Sequence, residues 1–222
     1  MPIFAQYIAV DREAVWASLF AYLQARLTAP PWAANTAYNA GDVRVDPQGH
    51  LQKALAPGTS NANPPSPWND ARGTTPDGSG GTAFEWQDTG AGFVSVGRQH
   101  IMPPALPISE QPALFVIGVK ERRNPKPRGI PTKLTLLGYL IIYAPAPIAS
   151  EDIGSETELG ATTLNRLFQA IDQAMLPDDP SSGCFTLGGL VSHCWIDEDT
   201  DMDPGIFGSQ AAAIMPVNIL VP

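Results

Sequence analysis

Positive charge is in short supply in this sequence. Its 222 residues carry 13 Lys and Arg against 22 Asp and Glu, a formal net charge of −9. A general nucleic-acid binder needs clustered Lys and Arg to neutralise phosphates, so that class is disfavoured. Long apolar runs are missing too. The longest, residues 134–144, is broken by Gly138 and falls short of the ~18 residues of a membrane-spanning helix. It has the length of a strand. The N-terminal MPIFAQYIAVDREAVW has no basic stretch ahead of an apolar one, so no secretory signal is expected. Two cysteines cannot build a disulfide framework, which points to a protein kept in a reducing cytosol until it joins something else.

Catalytic motifs are equally scarce. There is no Gly-x-Ser-x-Gly elbow and no His-Glu-x-x-His. Gly188-Gly189 and the GSGG run at 78–81 lack the Lys-Ser/Thr and the strand-to-helix frame of a phosphate loop. The only histidines, His50, His100 and His193, are paired with no nucleophile. Cys184, His193 and Cys194 lack the paired spacing of a zinc site, with only Asp197 to suggest as a fourth ligand. Cys194 lies in an apolar run, where a free thiol is commonly buried. The stretch DEDTDMDPG places Asp197, Asp199, Asp201 and Asp203 at alternate positions, like the start of a calcium loop. An EF-hand wants Gly at the sixth position and Glu at the twelfth, where this chain has Met202 and Gly208. A solvated acidic loop is the default there. No enzyme activity, cofactor or metal is expected.

What the chain does have is a core interrupted by something different. Its hydrophobic content of 44% suffices for a packed core, and 23 Pro with 20 Gly predict many turns. Val15, Leu19, Tyr22, Leu23 and Leu27 recur at helical spacing, with Asp11 as N-cap and Pro30-Pro31 as the stop. Residues 31–92 then hold three of the five Trp and no helical stripe. GDVRV, the turn DPQG and HLQKA make a candidate hairpin. TTPDGSGGTAFEWQ reads as a turn and a short strand, and GTSNANPPSPWND is too rich in Pro and Asn for regular structure. From Phe93 the chain is apolar again. FVSVG and PALFVIGVK read as strands. ERRNPKPRGIP reads as a polar arm and TKLTLLGYLIIYA as the returning strand, giving a hairpin with a basic tip. SETELGATTLNRLFQAIDQAMLP is a second helix. It starts from a Ser155/Glu158 capping box or from Thr162, with Leu164, Leu167, Phe168, Ile171 and Met175 on one face. CFTLGGLVSHCWI reads as one or two strands and AAAIMPVNILV as the last. Both apolar stripes need a sheet, so the expected fold is α+β. Two main helices lie on one face of a two-layer sheet formed by residues 1–30 and 93–222, with a small all-β module inserted at 31–92.

Charge is unevenly spread over that core. Arg98, Lys120, Arg122, Arg123, Lys126, Arg128 and Lys133 face only two acidic residues between positions 98 and 133, whereas 151–203 holds twelve acidic residues against Arg166 alone. Two solvated faces would explain this. So would complementary surfaces meeting between copies in a head-to-tail ring, with Arg122, Arg123, Lys126 and Arg128 set against Asp197, Glu198, Asp199 and Asp201.

FVSVGRQHIMPPALPISEQPALFVIGVKERR, PTKLTLLGYLIIYA, LNRLFQAIDQAMLPDDPSSGCFTLGGLVSHCWI and GSQAAAIMPVNILV together resemble the phage tail terminator, or tail completion, proteins. The first helix fits as well. The resemblance implies a mixed sheet carrying helices and a virion location, with assembly in the bacterial host cytoplasm. It also implies a hexameric ring that caps the tail tube protein, ends tube polymerisation and joins the head–tail connector proteins. DNA would pass through the lumen without specific binding, and no membrane is involved. Within 31–92, Trp32, Tyr38, Gly41, Asp42, Val43, Gly58, Thr59, Trp68, Asp77, Gly78 and Trp86 are similar to the pattern of small carbohydrate-binding-type modules found in phage structural proteins. That likeness implies a second role, glycan adhesion over Trp32, Tyr38, Trp68 and Trp86, whereas a module this small lacks a large core, so most of its aromatics are expected to be structural. The module departs from the pattern at His50-Leu51-Gln52, where an aromatic is usual.

Overall fold

The computed structural model describes residues 11–47, 49–69, 71–102, 105–124, 133–146, 160–178, 181–197, 199–205 and 210–222. Helix α1 (Arg12–Leu27) starts where Asp11 accepts hydrogen bonds from the Glu13 and Ala14 amides, at 2.9 and 3.2 Å. The chain then forms short strands β1 (Ala37–Tyr38), β2 (Val43–Val45), β3 (His50–Ala54), β4 (Gly58–Thr59), β5 (Thr74–Asp77) and β6 (Phe84–Ala91). These make a four-stranded sheet, β2-β3-β6-β5, and a two-stranded one, β1-β4. The rest comprises β7 (Ser95–Gly97), β8 (Ala113–Asn124), β9 (Lys133–Pro145), α2 (Gly160–Ala174), β10 (His193–Ile196), β11 (Asp201–Asp203) and β12 (Gln210–Val221). They form a sheet in the order β10-β12-β9-β8-β7, with β11 also on β12. Only β7–β8 is parallel, so the sheet is mixed and the fold is α+β. Among the described residues no helix is long and apolar enough to cross a membrane.

Side-chain alternation places one set of strand residues under both helices. Leu114 and Val116 of β8, Leu136, Leu140 and Ile142 of β9, and Met215, Val217 and Ile219 of β12 share one cluster with Leu19, Leu23, Leu164, Leu167 and Ile171. Each such buried side chain contributes roughly 1.5–3 kcal/mol. Gly118 and Gly138 sit opposite each other on β8 and β9. A Cβ on either would come within 2.7 or 2.4 Å of the Trp16 ring. The glycine that breaks the apolar run of β9 is therefore one wall of a slot for an indole. At Gly160 a Cβ would lie 2.5 Å from the Pro204 carbonyl, so α2 can approach the sheet only with glycine at its first turn.

Residues 31–92 have a second cluster of Tyr38, Ala54, Trp68, Phe84 and Trp86, with Trp32 against it. The chain leaves and rejoins the large sheet side by side. Thr28 bridges Phe93, and the Phe93 amide donates to the Leu27 carbonyl at 2.7 Å.

Several sequence expectations are corrected. Pairing of β8 with β9 continues to Asn124, so the Glu-Arg-Arg read as the start of a polar arm is strand. Of CFTLGGLVSHCWI only His193–Ile196 is a strand, because Leu187, Gly188 and Gly189 take positive φ and form turns. Part of the acidic loop is an edge strand, with Asp201–Asp203 paired to β12. Gly58–Thr59 lies within the stretch read as irregular and pairs with β1. The Ser155/Glu158 box, the arm tip with Lys126 and Arg128, and Glu198 and Gly208 lie outside the described residues.

Candidate interface

The helices cover one face of the large sheet and leave the other largely bare. The residues alternating with the buried set are Ile117 on β8, Leu137, Tyr139 and Ile141 on β9, and Ala212, Ile214 and Pro216 on β12. Tyr139 is 40% and Ile214 39% exposed. One end of this face is capped. Leu106, Ala113, Phe115 and Tyr143 pack together there, and His100 Nε2 lies 2.8 Å from the Tyr143 hydroxyl. Burial raises the Tyr143 pKa. Beyond that cap, nothing among the described residues covers the apolar strip.

A bulge between Gly118 and Lys120 decides which basic side chains reach the bare face. After it, Lys120 pairs with Leu137 and Arg122 with Thr135, both on the bare side. Glu121 pairs with Leu136 and Arg123 with Leu134, on the helix side. There Glu121 is bonded by Arg12 at 2.5 Å and by Arg123 at 2.9 Å. These two guanidinium groups hold its carboxyl below the usual range. Arg122 and Arg123 are thus separated: the first points to the bare face, the second closes a surface ion-pair network with α1. Past Gly97 the outer edge of β8 has no strand partner among the described residues.

Asp201 and Asp203 lie at the opposite edge and the opposite end from Lys120 and Arg122, whereas Asp197 bonds Asn218, which shares the Leu137 row with Lys120. Asp201 pairs with Ile214 and Asp203 with Ala212, so both side chains share the bare face. Asp197 accepts from Asn218 Nδ2 at 2.9 Å, and its amide donates to the Pro216 carbonyl at 2.9 Å. Asp199 lies between β10 and β11. Three inter-strand steps, about 14 Å, separate the β8 and β11 edges. One face therefore carries a basic corner, an apolar middle and an acidic corner diagonal to the first.

The remaining candidates do not assemble into chemistry. Cys194 is 1% exposed among the residues under the helices, and burial pushes its thiol up to about 12. His193 is on the other side of that strand, stacked on Trp195 at 5.1 Å and accepting from the Phe185 amide at 3.3 Å. Cys184 lies outside β10 and is bonded to Ser182. No group of three or more potential metal ligands occurs among the described residues. Tyr38, Trp68 and Trp86 are 2%, 7% and 0% exposed, so their rings pack on one another and present no face to a sugar. Trp32 alone is half-buried, and its indole N–H is engaged by Asp77 at 2.9 Å.

Sequence reasoning missed Trp16, whose slot is built by glycines distant in sequence. It also missed Asp77 as a structural centre. This carboxylate, 1% exposed, accepts from both Trp32 and Trp86 indoles and from the Asn61 and Gly78 amides. Read in sequence, Asp-Gly signals only a turn. No protein-family model matches the chain, and no curated protein matches it in sequence.

Proposed function

We propose that this chain is a structural virion protein that closes a phage tail tube as a ring, ends tube growth and forms the joint to the head connector. The observation that supports the reading is the diagonal of Lys120 and Arg122 against Asp201 and Asp203 across a bare apolar sheet face. A surface of that kind is completed by a neighbour: the apolar strip favours association, and the charged corners set orientation and exclude the reversed pairing. Because the two corners are different patches, a head-to-tail contact brings them together, and repetition of that contact closes a ring when its rotation permits. An acidic chain is also suited to line a passage for DNA without retaining it.

The test is native mass spectrometry and electron microscopy of the full chain mixed with preformed tail tube. The reading expects a symmetric oligomer seated at tube ends and no further tube growth. A strict monomer in the presence of tube contradicts it.

A further inference from the structure

We propose that the crevice where β3 and β6 meet α2 binds a small oxyanion, a phosphate or a carboxylate group. It is a cavity of about 110 Å³ lined by Arg72, Arg166, Gln169, Gln173, His50 and Asp88. That is well below the ~300 Å³ at which drug-sized ligand pockets begin, and suits a single tetrahedral or planar group.

The buried pair beneath the crevice arranges its charge. His50 is 4% exposed, with Nδ1 3.2 Å from Asp88 Oδ1 and Nε2 3.3 Å from an Arg166 guanidinium nitrogen. A carboxylate only accepts and a guanidinium only donates. The imidazole therefore carries its proton on Nδ1 and takes an Arg166 N–H on Nε2, which fixes Arg166 against the cavity. Among the described residues Asp88 is the one acidic group lining the crevice, and both of its oxygens accept hydrogen bonds. Besides His50, the Arg72 amide donates to it at 2.8 Å and the Gly90 amide at 3.1 Å.

Arg72 differs from Arg166. Its guanidinium forms no hydrogen bond or ion pair among the described residues, although its own amide is tied to Asp88. The residue has φ +58°, a left-handed backbone that non-glycine residues seldom adopt, so its side chain is launched from a fixed turn. A planar guanidinium from that turn, a second from α2 and the carboxamides of Gln169 and Gln173 supply donors from two separate parts of the chain. Such forks match the paired oxygens of phosphate and carboxylate. A bound oxyanion would join residues 31–92 to α2. The site is on the helix side of the large sheet and is independent of the proposed ring.

The test is the ³¹P linewidth of inorganic phosphate titrated with the full chain, with acetate as competitor. Saturable broadening at ~1 mM, weakened at least tenfold in Arg72→Gln and unchanged in Arg122→Gln, is expected. Arg72→Gln leaves the His50–Asp88–Arg166 contacts in place, so it reads the site and not the fold. Displacement by acetate would assign a general oxyanion site, and failure of acetate to compete would assign a phosphoryl site. Broadening that does not saturate, that survives Arg72→Gln or that is lost equally in Arg122→Gln would overturn the proposal.

Discussion

Residues 31–92 and the large sheet reach stability by different routes. Strands β8, β9 and β12 run 12, 13 and 12 residues and bury a continuous apolar layer against two helices. The strands of 31–92 run two to eight residues around a cluster of five buried apolar side chains. So small a cluster gives little driving force. Buried carboxylates take over as organisers: Asp77 ties two indoles and two amides, Asp88 holds His50 and two amides, and Asp46 holds the His50 amide and the Gln52 side chain. A satisfied polar network can fix a small fold, but its dependence on each member is steep. A long apolar layer spreads the loss of one residue over many neighbours.

That contrast can be broken first at Asp77. Asp77→Ala leaves two indole N–H groups and two amides without an acceptor, at about 1–3 kcal/mol each. Expected is local unfolding of 31–92, seen as tryptophan emission shifted to the red and proteolysis within the segment, with helical circular dichroism retained. Loss of the helical signal together with the segment would show the two regions to be one cooperative unit. Next is the glycine slot. Trp16→Ala should cost ~3–5 kcal/mol, and Gly138→Ala, which pushes a methyl into the ring, ~1–3 kcal/mol. Both are read by denaturant midpoint, and the segment's own proteolytic pattern should stay unchanged.

A smaller effect is expected at Asp178. Burial raises its pKa, but the Gly188 and Thr186 amides and the Thr186 hydroxyl outweigh this and hold the carboxyl below its usual value. A carboxyl depressed in the folded state adds stability above its unfolded pKa near ~3.9, and that stability is lost as pH falls through the folded value. The group is exposed, so the contribution should stay under ~1 kcal/mol. The protection of the Thr186 and Gly188 amides against exchange, relative to the intrinsic rate at each pH, should fall as the solution is acidified below that range, and Asp178→Asn should remove the dependence.

The apolar layer was the legible part of the sequence. The stripes of α1 and α2 and the runs of β8, β9 and β12 carry period 3.6 or 2 over a dozen residues or more. What escaped depends on contacts between distant positions. Gly118 and Gly138 look like interruptions until register sets them opposite each other under Trp16. The faces of Arg122 and Arg123 follow from a bulge that shifts the alternation by one residue, and no spacing rule shows it. Asp201–Asp203 is rich in a residue that disfavours strands, so only pairing with β12 makes it one. Trp68 and Trp86 were legible as core, since so small a module has few other apolar side chains to bury, but the carboxylate that holds the Trp32 and Trp86 indoles was not.

The central claim is that the basic and acidic corners of the bare face meet between copies. The most direct measurement is assembly of charge-reversed chains in the presence of tail tube, read by native mass spectrometry and electron microscopy. Arg122→Glu with Lys120→Glu should stop ring formation, as should Asp201→Lys with Asp203→Lys, each chain remaining folded by circular dichroism. Putting all four changes in one chain should restore the ring, because each reversed corner then meets its reversed partner. Rings that form equally well from either reversed chain alone would contradict the claim.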